Sequence, residues 1–312
     1  MLSSGKTRAV ISILCIAAVG LFSRFSWNLS GFSISHHNAT LCACRKCLPE
    51  TDPWLRDLLK AAPPTFLSRN YTPSVVDLKW LQRLRSDGHN INFYKTTVDN
   101  LFKIFPSIPD VVKPSPVRCR TCAVVGNSGN LKGSQYGPRI DMHDIVIRMN
   151  HGTTKGYETD VGTKTTHHVM YPESAVNLDN TTHLVMFSFK MSDLLWLLKK
   201  FDPGDDSSVK KIANKDLVLI LNPAFMRYVY EMWLGKRGSH PSTGFLTLVL
   251  SLQICDEVSV FGFGADRNGN WNHYFEILRN QNWKTGPHAG MHEYNIIQQL
   301  YQKKKIVFFK GF

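Results

Sequence analysis

The chain has 312 residues and carries 37 Lys and Arg against 24 Asp and Glu, a formal net charge of +13. That length excludes a single small module and suits one large α/β domain with appendages. The basic surplus favours anionic partners of three classes: nucleic acid, membrane head groups or small anionic substrates.

The N-terminus narrows these. Ala9 to Phe22 (AVISILCIAAVGLF) is a charge-free apolar run behind Lys6 and Arg8, closed by Arg24 with Phe25 and Trp27 beyond it. A run this short fits a signal-peptide core or a membrane anchor. Basic residues ahead of it keep the N-terminus cytosolic and send the rest to the lumen. The interfacial Trp27 and the lack of a small-x-small cleavage site favour an anchor, and a short span suits thin early-secretory bilayers. The expected organisation is a cytosolic tail over 1–8, a signal-anchor segment over 9–27, a stem over 28–50 and a luminal domain over 51–312. No later segment is apolar for long enough to span a membrane.

N-x-S/T sequons stand at Asn28, Asn38, Asn70 and Asn180. Asn28 sits close to the membrane, so Asn38, Asn70 and Asn180 are the expected glycan acceptors. A luminal address removes nucleic acid as a partner and assigns the basic surplus to an anionic small substrate or a solvated surface. Cysteine usage agrees. Cys15 lies in the apolar run, and Cys42, Cys44, Cys47, Cys119, Cys122 and Cys255 remain, an even number. Six cysteines allow 15 pairings. Zinc at Cys44-x-x-Cys47 and Cys119-x-x-Cys122 is the rival to bridges, and an oxidising compartment favours the bridges.

Asp52 to Asp99 leans helical in two segments separated by Pro63-Pro64. Trp54, Leu55, Leu58 and Leu59 lie on one face of the first, and Val76, Leu78, Trp80, Leu81 and Leu84 lie in part on one face of the second. Pro106 to Pro116 is a connector. Strands are expected over Ala123–Val125, Ile145–Met149, His167–Met170, Leu184–Phe189, Leu217–Leu221, Val258–Phe263 and Ile306–Phe309. Helices are expected over Ser192–Lys200, Ala224–Leu234, Thr243–Ile254 and Glu293–Lys304. Apolar strands alternating with helices imply an α/β fold with a mostly parallel sheet covered on both faces. Asp202 to Lys211 reads as a loop, and Lys303-Lys304-Lys305 as a solvated helix C-terminus.

The chemistry-bearing residues sit at strand ends and helix starts. Cys122-Ala-Val-Val-Gly-Asn-Ser-Gly-Asn130 reads as a buried strand running into a tight turn whose N–H groups can face a ligand. Asn127 there, and Asn150 after Ile145–Met149, suit an uncharged polar ligand part such as a ribose or a base; ordinary turn asparagines are the alternative. Ser242-Thr243-Gly244 opens an apolar helix and offers an N-cap or an anion site. Gly262-Phe-Gly264 after Val258–Phe261 lets a ligand approach backbone, but the next glycine, Gly269, comes too late for a dinucleotide fingerprint. His273 and His288 are candidates for acid–base work, with packing histidines the alternative. H-E-x-x-H and D-x-D motifs are absent, so the expected chemistry is metal-free.

Four motifs in this order resemble the animal sialyltransferases: Cys122 to Tyr171, His240 to Gly264, His273-Tyr-Phe-Glu276 and His288-x-x-x-x-Glu293. The N-terminal anchor and the Cys42-x-Cys44-x-x-Cys47 cluster extend the likeness to nearly the whole chain. It looks most like the β-galactoside α-2,3-sialyltransferases acting on Gal-β1,3-GalNAc. The resemblance implies a metal-independent GT-A-like, Rossmann-like fold with 51–312 as the catalytic domain, CMP-sialic acid as donor, a galactose-terminated glycan as acceptor and single-pass residence in the Golgi membrane. It implies that Asn127, Ser128 and Asn150 hold the nucleotide, with Ser242, Thr243, Gly244 and Gly264 lining its pocket. His273 would bond the donor phosphate and His288 would deprotonate the galactose 3-hydroxyl. Bridges Cys42–Cys47, Cys44–Cys119 and Cys122–Cys255 follow from the family pairing. The subgroup often carries Tyr where this chain has His240, on the acceptor side. The Asp202–Lys211 loop is shorter and lacks the expected tyrosine, and His273 and His288 stand two residues closer together. These departures bear on the acceptor. Enzymes forming α-2,6 or α-2,8 linkages and a non-catalytic glycan-binding protein of the same fold are the rival readings.

Overall fold

Segments such as Thr121-Cys-Ala-Val-Val125 are apolar on both sides of the pleat, so both sides must be covered. The computed structural model describes residues 43–44, 52–107, 115, 117–201, 212–277 and 288–312. The anchor, the stem apart from residues 43–44, Asn28, Asn38, Cys42, Cys47, most of the Pro106–Pro116 connector and the Asp202–Lys211 loop lie outside them. Within them, seven strands form one sheet: β1 Thr121–Val125, β2 Ile145–Met149, β3 His167–Met170, β4 His183–Met186, β5 Val218–Ile220, β6 Glu257–Phe261 and β7 Val307–Phe309. Their order is β5-β4-β3-β2-β1-β6-β7, and every pairing is parallel. Val125 stands level with Arg148 of β2 and with Phe261 of β6, so three strands leave the sheet along one edge.

Successive residues of each strand go to opposite layers. Cys122 and Val124 pack into one apolar cluster, Ala123 and Val125 into another. Around the sheet lie α1 Pro53–Ala61, α2 Val75–Leu84, α3 Ile91–Ile104, α4 Met191–Lys200, α5 Pro223–Tyr228, α6 Thr243–Ile254 and α7 Gly290–Gln302, with shorter helical turns between them. α6 (TGFLTLVLSLQI) is apolar all round, and it is buried on nearly every side among β1, β2 and β6. α1 and α6 share the first cluster; α2, α3 and α4 share a layer with the outer strands β4 and β5. Among the described residues no helix is long and apolar enough to cross a membrane.

Local chemistry explains where the elements differ from expectation. Between Pro53 and Ile104 three helices form, not two. The third, α3, is rich in β-branched and aromatic residues, but Asn90 caps it by accepting the Phe93 N–H, and it buries Tyr94, Leu101 and Phe102. Val76 on α2 is exposed, and Trp54 lies at the surface against the edge of Trp233. The strands expected to reach Phe189 and Phe263 end at Met186 and Phe261, because the Phe189 N–H is taken by the Asp193 carboxylate at 2.9 Å and Gly262 turns left-handed (φ 69°). The helix expected over Ala224–Leu234 changes to a π-turn over Val229–Trp233. α7 starts at Gly290 and ends at Gln302. The lysine run after it is not simply solvated: Lys303 pairs with Asp52 at 3.0 Å and Lys305 is buried.

Cys44 bridges Cys119, and Cys122 bridges Cys255, so these sulfurs are not zinc thiolates. The second bridge ties β1 to the C-cap of α6. Asn70 and Asn180 are both exposed.

At the far edge of the sheet, His167 of β3 sits opposite His183 of β4 with rings stacked at 4.5 Å. Burial, with the Arg120 guanidinium nearby, pushes the His167 imidazole down to about 3 from its ordinary 6.5. The unfolded chain therefore takes up this proton more readily than the folded one. The stability contributed by the neutral ring is present above 6.5 and is lost as pH falls from there toward 3. Urea midpoints of the wild type should fall between pH 7 and pH 5, and His167→Gln should lose less over that interval; equal losses would remove His167 from the account.

Candidate active site

Strand order reverses between β1 and β6, which is where a parallel sheet leaves a crevice beyond its carboxyl edge. β1 turns there through Gly126-Asn127-Ser128, β2 through Asn150, and β6 through Gly262-Phe263-Gly264. A cleft of about 430 Å³ opens between these turns and the start of α6.

The turns are tied to one another. Asn127 Nδ2 donates to the Met149 carbonyl at 3.0 Å, joining the ends of β1 and β2. Ser128 Oγ donates to the Gly264 carbonyl at 2.8 Å, joining β1 to β6. Asn150 takes the left-handed conformation (φ 55°). Its carbonyl accepts from His168 Nε2 at 2.6 Å and its Oδ1 from Ser174 Oγ at 3.0 Å. Gly264 has φ 94°, and a Cβ there would press on the Tyr294 ring.

Ser242 caps α6 by accepting the Phe245 N–H at 3.0 Å. The N–H groups of the helix's first turn and the positive end of its dipole lie at the cleft, among Ser242, Thr243 and Gly244. Ser242 is itself held by Glu293 of α7, which accepts its N–H at 2.8 Å and its Oγ–H at 2.6 Å. Burial raises the Glu293 carboxyl above its ordinary range, against the pull of those two donors.

Two histidines line the cleft, each delivered by a different segment. The segment 271–274 lies against the β1 turn: Gly129 N–H donates to the Asn272 carbonyl at 2.8 Å and Tyr274 N–H to the Asn127 carbonyl at 2.9 Å. This delivers His273. Its Nδ1–H donates to Glu276 at 2.7 Å and its backbone N–H to the same carboxylate at 3.0 Å. Burial alone would raise Glu276, but the bonds from His273 outweigh it and hold the carboxyl below its ordinary range. His288 comes from the segment leading into α7. Its Nδ1 lies 3.1 Å from the His240 carbonyl; a carbonyl only accepts, so Nδ1 carries the hydrogen and the neutral ring keeps its lone pair on Nε2.

Asn127, Ser128 and Asn150, then Ser242, Thr243, Gly244 and Gly264, and finally His273 and His288, thus all line one cleft. His240, expected on the acceptor side, does not line it. It is buried behind His288, because its ring packs into a gap between Phe189 and His288. Sequence reasoning left Glu276 and Glu293 without roles. The three-residue offset from His273 was a usable signal for Glu276; the partner of Glu293 lies 51 positions away and left none.

A family profile described as glycosyltransferase family 29 (sialyltransferase) matches residues 66–305. The chain belongs to that family. It is 40% identical over 282 residues to the pig CMP-N-acetylneuraminate-beta-galactosamide-alpha-2,3-sialyltransferase 1, covering 86% of this chain and 82% of the relative. The mouse enzyme numbered 2 in the same series is 40% identical over 285 residues, 86% of this chain and 80% of its own. A crystal structure of a mammalian sialyltransferase superposes with a TM-score of 0.77 at 40% identity, over 87% of this chain and 99% of that one. A second, solved in complex with Gal-beta-1-3GalNAc-ortho-nitrophenol, gives 0.76 at 39% identity, over 87% and 100%. The chain is a glycosyltransferase of the sialyltransferase family with a GT-A-like α/β fold.

Removing the Ser242 hydroxyl strips the cap from α6 and takes a donor from a buried carboxylate. Ser242→Ala should cost about 2–3 kcal/mol of stability, measured by urea unfolding. An unchanged midpoint would refute the clip between α6 and α7.

Proposed function

We propose that the chain transfers sialic acid from CMP-sialic acid to the 3-hydroxyl of a terminal galactose, in Gal-β1,3-GalNAc, with inversion and without a metal. It acts in the lumen of the Golgi, held by the N-terminal apolar run as a single-pass anchor, with glycans on its exposed sequons. The observation that carries this reading is the convergence of His273, His288 and the α6 N-terminus on one cleft at the switch point of the sheet. The relatives and the acceptor complex supply the linkage and the sugar.

The chemistry follows from the charges involved. The sialyl carbon bears a carboxylate and loses a phosphate, so positive charge develops on the sugar and negative charge on the departing CMP. In the proposed arrangement Asn127, Ser128 and Asn150 hold the nucleoside, and Ser242, Thr243 and Gly244 offer the α6 N-terminus to the phosphate. His273, with Glu276 behind its Nδ1, donates to the same phosphate and stabilises it as it leaves. His288 takes the proton of the galactose hydroxyl on Nε2, its Nδ1–H being committed to the His240 carbonyl. Attack from the face opposite the leaving group inverts the anomeric centre.

A metal-free reaction is supported by the state of the carboxylates. Those lining the cleft among the described residues are Glu276 and Glu293, and each is already committed, to His273 and to Ser242. Incubating the luminal domain with CMP-sialic acid and galactosides should yield an α-2,3 product, insensitive to EDTA. An α-2,6 or α-2,8 linkage would reassign the enzyme within its family. His288→Ala should keep CMP binding and lose about 10²–10⁴-fold in turnover, as for a lost general base. Near-normal turnover in that variant would sink the assignment.

A further inference from the structure

His240 takes no part in the cleft, yet it touches His288 twice. Its carbonyl accepts the His288 Nδ1–H at 3.1 Å. Its ring meets the His288 ring edge-to-face, with centroids 4.6 Å apart and planes at 81°. The His240 ring is itself held on every polar atom. Nδ1–H donates to the Pro241 carbonyl at 3.0 Å, and Nε2 lies 3.5 Å from Nη2 of Arg85, at the C-cap of α2. Phe189 packs on it at 5.3 Å, and the residue is 3% exposed. Nearby, Gly238 (φ 74°) lies so close to Ala289 that a Cβ would crowd its backbone nitrogen. The 238–240 segment is thus pressed against the 288–289 segment at two points.

We infer that the His240 side chain is a positioning residue: a buried ring that wedges the His288 imidazole into the orientation from which its Nε2 reaches the acceptor hydroxyl. The carbonyl bond alone sets which nitrogen carries the hydrogen but leaves the ring able to swing about it. The edge-to-face contact removes that freedom. Burial pushes the His240 imidazole down to about 4, with the Arg85 guanidinium beside its Nε2 acting in the same direction, so it stays neutral. A neutral wedge adds no repulsion when His288 takes up its proton. The inference rests on His288 acting as base in the proposed transfer, and it moves His240 from contact with the acceptor to support of that base.

The test is a double-mutant cycle on CMP-sialic acid and a Gal-β1,3-GalNAc acceptor. Loss of orientation at the reacting group carries a penalty of up to about 100-fold, so His240→Ala should lower kcat by about 10- to 100-fold while the donor KM stays within about twofold. In the His288→Ala background the same change should cost less than about twofold, because residues that act as a unit are not additive. His240→Phe, which keeps a ring, should restore kcat to within about threefold of wild type. If thermal melts show that the alanine variant does not fold, His240→Gln, which fills the space without a rigid ring, carries the same cycle. Wild-type kcat in His240→Ala, an undiminished loss in the His288→Ala background, or a phenylalanine variant as poor as alanine would each overturn the inference. In those cases the wild type still transfers, and the wider reading stands; a wild type with no transfer removes both.

Discussion

One buried carboxylate sets the geometry of the cleft. Glu293 sits in the first turn of α7 and accepts both the N–H and the Oγ–H of Ser242, the cap of α6. A buried carboxylate is costly unless its lone pairs are used. Here two donors use them, and the α7 N-terminus adds a favourable dipole. The bond therefore joins two helix starts that are far apart in sequence. α6 brings the amide groups suited to an anion; α7 brings the segment that begins at His288. A single joint thus sets the distance between the proposed phosphate site and the proposed base.

The parallel sheet makes such a joint possible. Every strand of a parallel sheet points the same way, so all its following turns gather on one edge. The reversal of strand order between β1 and β6 leaves room on that edge. The Cys122–Cys255 bridge ties the start of β1 to the far end of α6, so the helix cannot drift from the strand. Four motifs scattered from Cys122 to Glu293 then become neighbours. The Asn127–Met149 and Ser128–Gly264 bonds lock the turns to one another before any ligand arrives. A site built from backbone turns on rigid strands needs little rearrangement to grip a nucleotide.

How much of this the sequence disclosed follows from the range of each interaction. β2, β3 and α6 were legible to the residue, because an apolar run with clear punctuation reports its own burial. α3 was legible only in part: the helix-leaning stretch stopped at Asp99 without separating α3 from α2, because its β-branched and aromatic residues weaken the helical signal that the Asn90 cap and the partner layer restore. Arg148 was hidden inside an apolar strand. It is almost fully buried, donating to the Val161 and Lys164 carbonyls and to Thr165, and nothing in a linear pattern reports such partners. The residues that line the cleft were legible as strand-end and helix-start positions. The wedge role of His240 was not, because a ring packed behind another ring has no signature in spacing.

The two cleft histidines differ in what stands behind them, and that difference suits the proposed roles. Both use Nδ1–H to fix the ring, which assigns the proposed chemistry to the other nitrogen. Behind His273 is the Glu276 carboxylate, kept ionised by the two bonds it accepts. A carboxylate complements a ring that carries positive charge, which is the form that can donate to a departing phosphate. Behind His288 is a neutral carbonyl, which complements a neutral ring with a lone pair to give. Exchanging the two backings would leave a poor donor beside the phosphate and a ring already charged beside the hydroxyl. In the proposed transfer one residue type thus serves as acid-side stabiliser and as base, and the partner of Nδ1 decides which.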